Sequence, residues 1–226
     1  MDFSNAQYDA VIRKIESTLD TIVSDANAQI ARIEHDTGWI PGIGALVKAG
    51  VDQFVQLLKE FLAKIGETLK WVEIPVLMWQ FGQTWLDAAS QAGQTAVNIS
   101  GLDKYSSEWQ GIAGGKYAAG VAGQKPAADT IQARANAISG ACTWTAITGF
   151  AFYAGLLDIA VSLAFAIAGA TTVVGAVPGI ISALLGLADA VGFLLLGVDG
   201  QARGLRQANE PSDSFPGNAW PQAVAS

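Results

Sequence analysis

The sequence predicts an all-α fold built from helical hairpins, and two patterns indicate it. Apolar residues recur at alternating steps of three and four through the N-terminal third, which is the spacing of one face of an α-helix. No stretch of useful length alternates polar and apolar residues, as a half-buried strand does. The one segment rich in β-branched residues, TTVVGAV, is better interpreted as the turn between two apolar helices. We expect an amphipathic helical hairpin over residues 1–75, a second hairpin over 76–141, an apolar hairpin over 142–200 and an extended tail over 201–226.

The first hairpin is predicted from two amphipathic stretches. The first helix begins at Ser4, which forms a capping box with Gln7. It ends at the segment DTGWIPGIG, whose glycines and proline break a helix. The connection to the second helix is short, so we expect the two helices to lie against each other. Their apolar positions are Tyr8, Ile12, Ile15, Leu19, Ile22, Ala26, Ile30 and Ile33, then Val47, Val51, Phe54, Leu58, Phe61, Ile65 and Leu69.

A Trp-x-Gly element, Trp109-Gln110-Gly111, separates the two helices of the second hairpin. Gly111 permits a tight reversal of the chain, and Trp109 supplies a large apolar surface for the end of the hairpin. The helix that follows is rich in Ala and Gly, which allow helices to approach closely. Pro126 is interpreted as the first-turn proline of a new helical segment, because a proline inside a helix costs about 3 kcal/mol.

These residues resemble the WxG-motif superfamily, whose members are small helix-turn-helix proteins exported by the type VII (ESX) secretion systems of actinobacteria and related Gram-positive bacteria. The resemblance is limited to about residues 76–141. It implies paired helical hairpins, export to the cell envelope or beyond without a cleaved signal peptide, and action through helical partner proteins. Val121 stands four places after Tyr117, where the family's export signal has an acidic residue, so the resemblance also implies a partner that carries this signal. The residues that carry the resemblance are Trp85, Ala88, Ala89, Trp109, Gln110, Gly111, Ala113, Tyr117, Gln124 and Ala128.

The third hairpin is almost free of charge. Between Arg134 and Val198 only Asp158 and Asp189 carry charged side chains. Each half of this block is about 20 residues long, the length of predominantly apolar helix that crosses about 30 Å of hydrocarbon. Three interpretations stay open: both helices span a membrane, both form the core of a larger soluble bundle, or both are shielded in a soluble state and insert later. The turn of the hairpin is predicted at Gly175, Pro178 and Gly179, with Pro178 opening the second helix.

The two aspartates bear on these interpretations. A charged Asp at the middle of a bilayer costs about 2.5–3.5 kcal/mol, and each Leu-type residue returns about 0.3–0.6 kcal/mol. Insertion stays favourable because the apolar residues are many. We therefore expect Asp158 and Asp189 to face the interior of a bundle or the lumen of a channel.

Composition and missing motifs argue against several functions. The net charge is −7, so a nucleic acid should be repelled. Cys142 is the only cysteine and His35 the only histidine, which leaves no second residue of either type for a metal site. The sequence has no phosphate-binding loop and no nucleophile elbow. We expect neither enzyme activity nor a cofactor.

The sequence thus predicts a type VII secretion-associated helical protein that self-assembles or binds helical partners and contacts or permeabilises a membrane. The alternative is a soluble oligomeric helical bundle whose apolar helices form the interface between subunits. Lipid is the expected non-protein partner, and nucleic acid is not expected as one.

Overall fold

The computed structural model describes residues 3–37, 44–106, 108–169 and 173–208. These residues form helices and short connections and include no strand, so the prediction of an all-α fold is confirmed. The helices are α1 (Asn5–Thr37), α2 (Gly44–Leu69), α3 (Ile74–Ser106), α4 (Ile112–Ala122), α5 (Gln124–Gly169) and α6 (Val173–Ala208).

The chain divides into two compact units that are not contiguous in sequence. The first unit comprises residues 1–76 and 146–197, and the second comprises 77–145 and 198–226. Helix α5 therefore contributes its first half to the second unit and its last 24 residues, 146–169, to the first unit. The predicted N-terminal hairpin and the predicted apolar hairpin belong together in the first unit.

The core of the first unit is formed by the apolar stripes of α1, α2, α5 and α6. Ser4 caps α1, because the backbone N–H of Gln7 donates to Ser4 Oγ at 3.4 Å and that of Tyr8 donates to the Ser4 carbonyl oxygen at 2.9 Å. Burying a large apolar side chain is worth about 1.5–3 kcal/mol, so these stripes hold the four helices together. The largest side chains that are fully buried are Tyr8, Ile15, Ile22, Phe54, Phe61, Ile65, Leu156, Leu163, Ile167 and Ile180.

Two tyrosines of the first unit close the end of α2. Tyr8 Oη donates to the carbonyl oxygen of Val72 at 2.6 Å, and Tyr153 Oη donates to that of Thr68 at 3.0 Å. Their ring centroids are 5.6 Å apart in an edge-to-face arrangement. The last carbonyls of a helix have no partner inside the helix, and Tyr153 satisfies one of these acceptors at Thr68. Val72 lies in the turn that follows α2, so Tyr8 binds an acceptor just beyond the end of the helix. Burial, with a smaller contribution from Tyr153, raises the pKa of Tyr8 well above its ordinary value.

The second unit packs α3 and α4 against the first half of α5. Ser139 Oγ of α5 donates to the carbonyl oxygen of Gly82 in α3 at 2.7 Å, and this serine is buried. Pro126 lies in the first turn of α5, as its interpretation from the sequence requires. A small apolar cluster joins the three helices and consists of Ala96, Ile99, Val121 and Ala128, with Tyr117 packed against it.

The turn of the apolar hairpin was predicted at the wrong residues. Helix α6 begins at Val173, so Gly175, Pro178 and Gly179 all lie inside it, and the connection to α5 falls within 170–172, outside the described residues. Pro178 is the sixth residue of α6, past its first turn, so its missing N–H costs the helix one backbone hydrogen bond. Gly179 serves helix packing instead of a turn, since a Cβ there would lie 2.7 Å from the Cβ of Ala166.

The extended tail predicted from residue 201 is wrong for its first eight residues. Helix α6 continues to Ala208. Asp199 and Arg203, four residues apart, form an ion pair on its exposed surface, and such pairs favour a helix by a few tenths of a kcal/mol. Residues 209–226, which include Trp220, lie outside the described residues.

Candidate functional site

The candidate site is the side of α5 and α6 that the rest of the first unit leaves uncovered. In α5 the buried residues follow one stripe at steps of three and four, through Leu156, Ala160, Leu163 and Ile167. The opposite side of the helix is exposed. It carries Phe165, whose side chain is 74% exposed.

The rest of the first unit covers less of helix α6 than of α5. Among the described side chains of α6, only a narrow stripe is buried, made by Ile180, Ala183 and Leu187. The exposed apolar residues span about 160° of the helix at 100° per residue. We call the exposed side of α5 and α6 the outer face, and its large apolar residues are Phe165, Ile181, Leu185, Phe193, Leu195 and Leu196.

Two helical segments of the described chain are long and apolar enough to cross a membrane, one within Ile112–Gly169 and one within Val177–Arg203. The most apolar window of the first has 33% of its residues buried, and that of the second has 17%. A helix in the core of a soluble protein is mostly buried, so most of this apolar surface has no protein cover within the described chain.

The register between α5 and α6 places the two aspartates at the same height. The helices run antiparallel, and in their register Asp189 lies level with Leu156, two residues from Asp158. Three close approaches of α6 glycines to α5 side chains define this register: Gly179 to Ala166, Gly186 to Ile159 and Gly197 to Thr148.

Both aspartates are exposed and belong to the outer face. Asp158 lies opposite the buried stripe of α5, and Asp189 lies between Leu185 and Phe193 at steps of four. Neither carboxylate has an ion-pair or hydrogen-bond partner among the described residues. The expectation that they face the interior is therefore not met within a single chain, and a lumen formed by several chains stays a prediction.

Two grooves run along the seam between α5 and α6. The one beside Asp158 encloses about 350 Å³, and its polar side chains besides Asp158 are the hydroxyls of Ser162 and Ser182. Glycine and alanine form much of its α6 wall. The other groove encloses about 250 Å³ and is almost wholly apolar, with Thr148, Ala151, Phe152, Gly155, Ala190, Phe193 and Leu194 as its lining.

The Trp-x-Gly turn has the local geometry that its residues predict. Gly111 has φ 89° and ψ −170°, a conformation that essentially only glycine adopts. The rings of Trp109 and Tyr117 pack with centroids 5.5 Å apart, although Trp109 stays 60% exposed. Gly114 was not predicted as part of this turn, yet a Cβ there would overlap the carbonyl oxygen of Trp109. The Gly114-Gly115 pair is the signal that could have indicated this close approach.

A second exposed apolar stripe follows α3 in the second unit. Leu77, Phe81 and Trp85 recur at steps of four and are each at least 40% exposed. Trp85 was singled out as part of the WxG resemblance, and it lies on this stripe.

The remaining reactive side chains do not converge on one site in the described chain. His35 lies in the last turn of α1 and Cys142 is a half-buried free thiol of α5. Among the described residues no group of three or more His, Cys, Asp and Glu could hold a metal ion. An open polar groove of about 610 Å³ between α3 and α5 includes Lys125, which already pairs with Asp129 at 2.6 Å.

No protein-family model, curated protein or solved structure matches this chain. The resemblance of residues 76–141 to the WxG-motif superfamily therefore stays a prediction. The geometry of the outer face is the observation from which a function can be argued.

Proposed function

We propose that this protein is a non-catalytic, self-assembling helical protein of a type VII secretion pathway that contacts a lipid membrane through the outer face of α5 and α6. The observation that carries the proposal is the exposed apolar surface of these helices. Leu185, Phe193 and Leu196 are 63%, 75% and 71% exposed.

Water is an unfavourable environment for this face. Each large apolar side chain that stays exposed forgoes about 1.5–3 kcal/mol of burial free energy. Soluble monomers rarely expose contiguous apolar patches above a few hundred Å², and larger ones mark interaction sites. The outer face therefore requires a cover that the described chain does not provide.

Lipid fits this face better than a protein partner does. Protein interfaces have an apolar centre and a polar rim. The outer arc of α6 from Ile181 to Leu196, in contrast, carries only two polar side chains, those of Asp189 and Ser182. Helix α2 shows the contrast, because its exposed side carries charged residues such as Lys64 and Glu67. The part of α5 in the first unit, residues 146–169, is about 36 Å long at 1.5 Å per residue, enough to cross about 30 Å of hydrocarbon.

The secretion route is proposed from the WxG resemblance, and the positive φ of Gly111 and the packing of Trp109 on Tyr117 support it. The test is export from a Gram-positive host with and without a functional type VII system. We expect export only with the system, and we expect W109A to reduce it while W71A, at another exposed tryptophan, leaves it unchanged. Export without the system would contradict the route. A neighbouring gene for a second small WxG-type protein would support it.

The alternative, a soluble oligomer joined through the apolar helices, is favoured by the two grooves between α5 and α6. Grooves of 250–350 Å³ can accept large side chains of a second copy. In that case the outer face would be buried against a second copy of the chain, and the protein would not bind lipid.

Flotation with phosphatidylcholine liposomes separates the two functions. The protein is purified without detergent, mixed with liposomes at about pH 7.5 and about pH 4.5, and washed with about 1 M NaCl, which screens surface charge. We expect flotation that survives the wash at one pH or both. We expect L185Q/F193Q to weaken partition at least about tenfold, because apolar anchoring is lost.

The matched control is V97Q/I112Q, which changes two exposed apolar residues away from the outer face, 70% and 85% exposed. It should float as the unchanged protein does. Uniform oligomers in plain buffer that float at neither pH would reject the membrane function and favour the soluble assembly.

A further inference from the structure

We propose that protonation of Asp158 and Asp189 controls insertion of α5 and α6 into the bilayer, so that the hairpin inserts in acid. This inference rests on the proposed membrane function and adds its regulation.

The two carboxyl groups lie halfway along the hairpin. Asp158 is 12 residues from Ala146 and 11 from Gly169, the ends of the α5 segment in the first unit, or about 18 Å and about 17 Å along the helix axis. Asp189 lies level with it in the antiparallel register. A hairpin that spans the bilayer therefore places both carboxyl groups near the midplane, far from either headgroup layer.

No described residue of the first unit neutralises these charges. Among the described residues that line the groove beside Asp158, the other polar side chains are those of Ser162 and Ser182, and none of these lining residues belongs to α1 or α2. The neighbours of Asp189 one turn away on α6 are uncharged. No Lys, Arg or His of α1, α2 or any other described element pairs with either carboxylate. A proton is thus the available means of removing each charge.

A charged aspartate at the midplane lowers insertion by about 100-fold. A carboxyl group that enters an apolar medium without a partner takes up a proton instead of staying charged. The many apolar residues of the outer face favour insertion at every pH, while the two negative charges oppose it only when they are present. The balance therefore shifts towards insertion as the pH falls.

The test compares partition into phosphatidylcholine liposomes at about pH 7.5 and about pH 4.5 for the full chain and for D158N/D189N. We expect the unchanged protein to partition at least about tenfold more strongly in acid. The amide variant should partition at about pH 7.5 nearly as the unchanged protein does in acid, with little further response to pH. At about pH 7.5 the single variants D158N and D189N should partition more strongly than the unchanged protein and less strongly than D158N/D189N. Circular dichroism reports whether each variant keeps its helices.

The control is D20N/D52N, which removes two exposed aspartates from the polar sides of α1 and α2. It changes the net charge equally, so it should keep the pH response of the unchanged protein. The inference is overturned if D158N/D189N keeps that response, or if the unchanged protein partitions equally at both pH values. Equal partition at both pH values would still support the membrane function, whereas no partition at either pH would reject that function.

Discussion

Two consecutive glycines of α4, Gly114 and Gly115, provide a sharp test of the Trp-x-Gly turn. A Cβ on Gly114 would overlap the carbonyl oxygen of Trp109 and lie 3.1 Å from its Cβ, whereas a Cβ on Gly115 would meet no atom within 4 Å. The same substitution, glycine to alanine, should therefore have opposite effects on stability at the two positions.

The magnitudes follow from these contacts. Alanine is better than glycine inside a helix by about 0.5–1 kcal/mol, so G115A should raise the free energy of unfolding by that amount. G114A gains the same term but adds an overlap with backbone that no side-chain rotation relieves, which costs about 1–3 kcal/mol. It also disturbs the packing of Trp109 on Tyr117, worth about 0.5–1.5 kcal/mol. We expect G114A to be less stable than G115A by about 2–4 kcal/mol.

The assay is urea denaturation followed by circular dichroism, with near-ultraviolet signals reporting the tryptophans. G114A should unfold at lower urea than the unchanged protein and G115A at higher urea. Equal stabilisation by both alanines would show that Trp109 does not approach Gly114 as described, and the account of the turn would be refuted.

Three further predictions concern buried contacts, and urea denaturation measures each. Y8F removes the hydrogen bond to Val72 and should cost about 1–2 kcal/mol. Because burial raises the pKa of Tyr8, its neutral phenol stabilises the fold below about pH 10, and this stability is lost as the pH rises further. The loss of stability at high pH should be smaller in Y8F. G179A should cost about 1–3 kcal/mol by forcing α5 and α6 apart, whereas G155A, with no atom near its Cβ, should gain about 0.5–1 kcal/mol. S139A removes a buried donor to a backbone carbonyl and should cost about 1 kcal/mol; no loss would contradict that hydrogen bond.

The amphipathic helices were predictable because their apolar residues keep a strict period. Ile15 and Ile22 of α1 and Phe54 and Phe61 of α2 were placed on buried faces, and all four are fully buried. Local patterns failed for the glycines and the proline of the apolar hairpin, although Pro126 and Gly111 were interpreted correctly. Gly179 was taken for a turn residue, yet its lack of a side chain serves the approach to Ala166, and a sequence does not show which neighbour a glycine will meet.

The pairing of the N-terminal hairpin with the apolar hairpin could not be predicted. It depends on contacts between residues far apart in the chain, such as Tyr153 with Thr68 and Gln29 with Ile167. The outer face could not be predicted from the sequence either. Helix α6 is apolar around most of its circumference, so periodicity cannot indicate which side the rest of the protein covers.

The central claim is that the outer face of α5 and α6 enters hydrocarbon, and an environment-sensitive fluorophore tests it most directly. In a C142A background, which removes the only native thiol, single cysteines at L185C or F193C carry the label on the outer face, and E67C carries it on the exposed side of α2. On adding phosphatidylcholine liposomes at about pH 4.5, the labels at positions 185 and 193 should brighten and shift to the blue, while the label at 67 should not change. Labels that respond alike at all three positions, or no response at 185 and 193, would contradict the account.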